Sequence, residues 1–197
     1  SGLLQEQRRE ITVLFIDLNG FTTITENESP TVVIQQLNQF LTEMTEQVFQ
    51  YGGTLDKYIG DEIMAIFGSP ITLDNHAERA VECALAMKDK MKELSKLWKS
   101  QDKSELTASI GIATGVSLVG TIGCEKYMDY TAIGDIVNTA ARITEAAAHD
   151  SIFLEASTVK LIEPVSILQQ PVELQLKGKQ KVVYASVLKR LKTEQEI

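Results

Sequence analysis

Two carboxylates, Asp17 and Asp61, end apolar runs that read as buried strands, and such a pair can hold Mg²⁺ beside phosphate oxygens. Asp61 follows Gly60 between Leu55–Ile59 and Glu62–Phe67, two short strands folded back on each other as a hairpin. The second strand, Ile63-Met64-Ala65-Ile66-Phe67, is continuously apolar and belongs inside a sheet. Gly60 allows the positive φ that a tight connection needs. An Asp at a hairpin tip is most often a turn former. Asp17 shifts that balance, because it ends a second β-branched apolar run, Ile11–Ile16. The turn that follows, Asp17-Leu18-Asn19-Gly20-Phe21-Thr22, can aim backbone N–H groups at a polyphosphate, which makes Gly20, Phe21 and Thr22 candidate nucleotide-binding residues. Each Asp alone reads as structural. Together with a phosphate-sized turn they point to two-metal phosphoryl transfer.

A third group lies in YTAIGDIVNTAAR, residues 130–142. Asn138 and Arg142 are four apart and stack on one helix face. Separately they would be a surface Asn and a solvated Arg. Here the helix opens after Gly134, which sets Asn138 near the positive end, where phosphate is favoured.

The 197 residues suffice for one domain with a full-sized core, and 44% hydrophobic against 23% charged residues is ordinary for a globular chain. A formal net charge of −8 with no basic run argues against a non-specific nucleic-acid binder. An anionic substrate would therefore need cations supplied locally. Cys83 and Cys124 are the only cysteines and show no metal-ligand spacing, as expected of reduced thiols in a cytosolic protein. His76 and His149 are isolated, which disfavours a zinc site. No apolar run is long enough to span a membrane and no signal peptide is visible. Ser1-Gly2 reads as a cloning remnant. Residues 3–10, polar and helical in character, read as the tail of a linker from an upstream regulatory domain in a longer parent chain. The expected layout is a linker over 1–10, a catalytic domain over 11–190 and a tail over 191–197.

Between these motifs the pattern sets out the elements that position them. Residues 23–29 are polar, and Ser29-Pro30 offers an N-cap followed by proline at the first helical position. Val33, Leu37, Phe40, Leu41, Met44 and Val48 then recur at helical steps up to Gly52-Gly53. Asn75 and Glu78 form a candidate capping box for a second long helix that fades near Trp98. Strands are expected over 106–113 and 116–122, joined at Thr114-Gly115, with a polar excursion over 124–129. A third helix opens at Gly134, a short strand and helix fill 151–161, and a strand pair at 172–176 and 182–188 closes the chain. The order βαββαββα plus an αββ tail is an α+β, ferredoxin-like (split βαβ) plan, an antiparallel-rich sheet with helices against one side.

FIDLNGFT at 15–22, DKYIGDEIMAIFG at 56–68, YTAIGDIVNTAAR at 130–142 and ELQLKGK at 173–179, in that order, resemble the class III nucleotidyl cyclase catalytic domain. The resemblance spans nearly the whole chain. It implies that Asp17 and Asp61, helped by the Leu18 carbonyl, bind two Mg²⁺ or Mn²⁺ ions. It also implies that Lys57 and Thr131 read the base, that Asn138 and Arg142 support the ribose and the pentavalent phosphate, and that Lys177 binds the triphosphate. ATP would close to 3′,5′-cyclic AMP with loss of pyrophosphate, at sites shared across a homodimer.

Two positions depart from the common family pattern. Ser109 stands where many members have a basic residue, which puts one phosphate contact in doubt. Thr131 stands where many animal membrane cyclases have Asp. It resembles the subgroup of bicarbonate-responsive soluble enzymes, so bicarbonate is the implied activator. The rival activities are a guanylyl cyclase and a catalytically silent cyclase-like dimerisation domain. Guanine would want a carboxylate at Lys57, and silent domains lose a metal Asp or the Asn/Arg pair. A diguanylate cyclase shares the fold plan, yet has no counterpart of the Asn138/Arg142 helix.

Overall fold

The β-branched run Ile11–Ile16 forms the middle of β1 (Gln7–Asn19), whose two edges are both occupied. The computed structural model describes residues 6–124, 126–175 and 182–197. β1 pairs antiparallel with β3 (Glu62–Phe67) on one edge and with β4 (Thr107–Cys124) on the other. Its side chains alternate between two buried faces, which is why the run is apolar at every position but Thr12, whose hydroxyl bonds to Thr114 and His76 at 2.8 Å. Leu14 and Ile16 pack with α2 (Pro30–Gln50) and α3 (His76–Ser100). Val13 and Phe15 pack with α4 (Asp135–Ala146) on the opposite face. Helices therefore cover both faces, not the single side that the element order suggested.

The remaining strands are β2 (Thr54–Ile59), β5 (Tyr127–Ile133), β6 (Ile152–Glu155), β7 (Ser166–Leu168), β8 (Val172–Leu174) and β9 (Val183–Leu191). Across the sheet the order is β2-β3-β1-β4-β6-β9-β7, with β5 on β4 and β8 on β9. Only β4–β6 is parallel among the described pairings. The architecture is α+β with an antiparallel-rich sheet, as the pattern predicts. Ser29 caps α2 by accepting from the Val32 N–H at 3.4 Å, and Pro30 occupies its first turn.

Several local expectations change. Residues 106–122 are not two strands, because β4 runs unbroken and Gly115 pairs with Ile11 in mid-strand. Within the expected excursion, Cys124 is the last residue of β4 and pairs with Tyr127, so Tyr127, Met128 and Asp129 are strand. Gln7–Glu10 are not helical linker: they extend β1 along Val116–Val119. Arg9 fastens this end by donating to the Pro70 carbonyl at 3.0 Å and to Thr72 Oγ1 at 2.8 Å. The polar stretch after Gly20 is helical, α1 (Phe21–Asn27). Asn75 makes no side-chain cap for α3. Its φ of −105° and ψ of 36° lie outside the extended region that a capping side chain requires.

α4 reaches the sheet through a missing side chain. A Cβ at Gly111 of β4 would stand 2.7 Å from both the Ala140 carbonyl oxygen and the Thr144 nitrogen. The helix backbone thus lies directly on the strand. Gly111→Ala should destabilise the domain by about 1–3 kcal/mol through overpacking, read as a lower denaturation midpoint. An unchanged midpoint would mean that α4 does not depend on this contact.

Candidate active site

Register brings the acids together. Asp17 of β1 pairs with Glu62 of β3, and Glu62 closes the β2–β3 hairpin against Ile59. Asp61 therefore stands at the turn beside Asp17, held by Gly60 at φ 65°. The Asp17 and Asp61 carboxyls are close enough to act on each other's protonation. Burial, and then the Asp61 charge, push Asp17 up from 3.8 to about 6. Burial likewise raises Asp61. Glu62 rises from 4.5 to about 7, first by burial and then by the Asp17, Asp61 and Glu145 charges. Among the described residues, no Lys, Arg or His is one of the main groups acting on these three acids.

Glu62 and Glu145 were not singled out by the sequence motifs. A hairpin register drawn onto β1 would have found Glu62 opposite Asp17. Glu145 follows Arg142 by one helical turn, so helix periodicity alone places it on the same stripe. Among the described residues, no three or more His, Cys, Asp or Glu side chains form a metal cage. A cation at Asp17 and Asp61 would complete its shell from carbonyls, water and phosphate oxygens, as Mg²⁺ commonly does. Crowded carboxylates without countercharge suit that role.

Beside them the turn is braced from below. Asn19 Oδ1 accepts from Thr107 Oγ1 at 3.1 Å, Ser109 Oγ at 3.0 Å and the Asp150 N–H at 3.3 Å. Gly20, at φ 86°, precedes α1, so Phe21 and Thr22 lie in a first turn whose N–H groups have no intrahelical acceptor. The Ser109 side chain is buried and also donates to the Ala148 carbonyl at 3.2 Å. It braces the turn and presents nothing to a phosphate, so the departure at this position has a structural role. The Leu18 side chain is core, and a backbone hydrogen bond at Leu18 favours the charged form of Asp17.

The other candidates are not gathered here. Lys57 shares a rung with Met64, Phe15 and Gly111, whereas Thr131, which is buried, pairs with Gly120 farther along β4. β3, β1 and β4 lie between their strands, four strand spacings or about 19 Å measured along the sheet. Asn138 is exposed and Arg142 half-buried on α4. Neither makes a hydrogen bond or ion pair with Asp17 or Asp61 among the described residues. Lys177 lies outside the described residues.

Known proteins match this arrangement. The family profile "Adenylate and Guanylate cyclase catalytic domain" matches residues 3–188. Adenylate cyclase 1 of Rhizobium meliloti (strain 1021) is 35% identical over 136 residues, 69% of this chain. The match covers only 20% of that relative's length. The crystal structure of the adenylyl cyclase CyaB from P. aeruginosa has a TM-score of 0.92 at 34% identity, covering 98% of this chain and 100% of that one. The guanylyl cyclase Cya2 has the same TM-score at 30% identity, covering 97% of each chain. With the acidic pair at the β1 end and hairpin tip, and with that profile running almost end to end, the chain belongs to the adenylate and guanylate cyclase catalytic domain family, the class III nucleotidyl cyclases.

Proposed function

We propose that the chain is an adenylyl cyclase domain that converts ATP to 3′,5′-cyclic AMP and pyrophosphate in a homodimer. The observation that carries the cyclase chemistry is the uncompensated carboxylate cluster beside the Asn19-Gly20 turn. Asp17 and Asp61, with the Leu18 carbonyl, are the residues to hold two Mg²⁺ or Mn²⁺ ions. Such ions, when bound, acidify the ribose 3′-hydroxyl and neutralise the triphosphate. The 3′-oxygen bonds to the α-phosphorus, the bond to the β-phosphate oxygen breaks, and the hydroxyl proton leaves to water. Gly20, Phe21 and Thr22 offer backbone N–H groups to the phosphates. Arg142, without an ion-pair partner among the described residues, faces the charge on the pentavalent phosphorus, Asn138 orients the ribose and Lys177 binds the triphosphate.

Lys57 and Thr131 make the base adenine. A lysine donates to adenine N1 and a threonine hydroxyl accepts from the N6 amino group. Guanine would set its own N1–H against that lysine, a buried mismatch of the kind that discriminates strongly. The equal likeness to Cya2 favours a second reading, a guanylyl cyclase, because the backbone alone does not distinguish the two. Turnover of ATP and of GTP with Mn²⁺, with products identified by chromatography, separates them. ATP should be preferred, and Lys57→Glu should lose most of that preference. A GTP preference in the unmodified chain would overturn the adenylyl reading.

The metal reading has its own test. Folded pKa values of about 6 for Asp17 and about 7 for Glu62 lie above their ordinary 3.8 and 4.5. Groups raised in this way stabilise the fold fully below the ordinary values and lose that contribution as pH rises through the raised ones. Without divalent ions, Tm should therefore fall between about pH 4 and about pH 7 more steeply in wild type than in Asp17→Asn. Mn²⁺ should raise the wild-type Tm at the alkaline end and leave Asp17→Asn unmoved. A Tm indifferent to Mn²⁺ would sink the assignment.

A homodimer with shared sites completes this reading. In it a second chain, related by a two-fold axis, brings its Lys57, Thr131, Asn138, Arg142 and Lys177 to the first chain's Asp17 and Asp61. Ile59, Val116, Tyr127, Met128 and Ile133 are exposed on the strands concerned and would be covered. Asp61→Ala and Arg142→Ala chains, each inactive alone, should recover about a quarter of wild-type activity on mixing, since half of the pairs hold one intact site. A dead mixture despite demonstrated subunit exchange would exclude shared sites.

A further inference from the structure

Asp56 immediately precedes Lys57, and nothing in the chemistry above gives it a task. In a regular strand such neighbours point to opposite faces. Here the β2–β3 register runs Leu55↔Ala65 and then Lys57↔Met64, so Asp56 is the extra residue of a β-bulge. The bulge breaks the alternation, and Lys57 Nζ stands 3.3 Å from Asp56 Oδ2. The Asp56 side chain is 0% exposed while that of Lys57 is 44% exposed. Neither Asp56 oxygen receives a hydrogen bond among the described residues. A buried carboxylate without donors weakens a fold, and a neutral side chain of similar size would serve the strand better.

We propose that Asp56 is a positioning residue for Lys57, the bulge turning a buried carboxylate against the lysine so that its ammonium meets the nucleobase as a fixed donor. This rests on the reading of Lys57 as a base-contacting residue. A lysine loses much rotamer freedom on meeting a ligand, and an anion fixed beside it takes part of that loss before the nucleotide arrives. An ammonium carries three N–H donors, so contact with Oδ2 leaves others for the base. Charge fixes the sign of the effect. An amide at position 56 would keep the shape and lose the hold.

The test is a double-mutant cycle in the full chain with Asp56→Asn, Lys57→Met and both together, each read as kcat and KM for ATP and GTP and as Tm. Asp56→Asn should lower kcat/KM for ATP about tenfold, the scale of one charge-assisted contact, mainly through KM. GTP should lose less, so the ATP/GTP ratio falls, while Tm stays or rises. In the Lys57→Met background Asp56→Asn should change nothing further. Equal losses on both nucleotides, additive effects or a lowered Tm would each make Asp56 a structural residue and overturn the proposal. If the Asn variant does not fold, Asp56→Ser takes its place, and failure of both to fold counts equally against it. An unchanged ATP/GTP ratio in Lys57→Met would instead overturn the base-contact reading itself. A changed ratio there with an unchanged ratio in Asp56→Asn would remove only the role of Asp56.

Discussion

Like charges crowded at buried strand ends are the constraint on which this domain turns. β1 has neighbours on both edges and helices on both faces, so Asp17 has no room to move away from Glu62, its partner in register. The hairpin tip adds Asp61, and α4 brings Glu145 within electrostatic reach. Burial raises each carboxyl because the charged form loses water, and neighbouring charges raise Asp17 and Glu62 further. The fold thus maintains a site whose electrostatics improve when a cation and a polyanion enter together. Desolvation dominates over any single neighbour at Asp17 and at Glu62.

Rigid strand spacing sets the second condition. The sheet sets the hairpin and the β4–β5 arm apart by β3, β1 and β4. In the proposed dimer both elements face the second chain. Apolar side chains left exposed on that arm and on β2 suit the same arrangement. At the hairpin itself, one bulge gives Asp56 and Lys57 a shared side without disturbing Asp61 at the tip.

α4 joins these conditions. Its backbone rests on Gly111, and the stripe of Asn138, Arg142 and Glu145 takes its height from that contact. Beneath the site, Asn19, Thr107, Ser109 and Asp150 lock the turn to β4, and Lys88 of α3 ties in Asp150 at 3.6 Å. The Ser109 hydroxyl is committed to this lock, which explains how a position often basic in the family can be small and neutral here.

Much of the molecule is legible in the sequence because it is local. The apolar runs of β1 and β3, the Gly60 turn, the Ser29-Pro30 helix start and the four-residue spacing of Asn138 and Arg142 follow from periodicity and turn chemistry. The four ordered motifs carried the family. Other features were decided by partners far along the chain. β4 is continuous through Gly115 because β1 pairs with it on both sides of that glycine, and no local turn signal reveals a distant strand. Gln7–Glu10 are strand for the same reason, and Asn75 fails as a cap because the approach to α3 leaves it outside the extended region. Helices cover both faces because Gly111 admits α4, and a lone glycine in a strand does not say what will lie on it. Glu62, Glu145 and Asp56 looked like ordinary polar residues. Only register, burial and a bulge turned them into neighbours of the chemistry, since electrostatic strength depends on which charges share a desolvated space and not on their order in the chain.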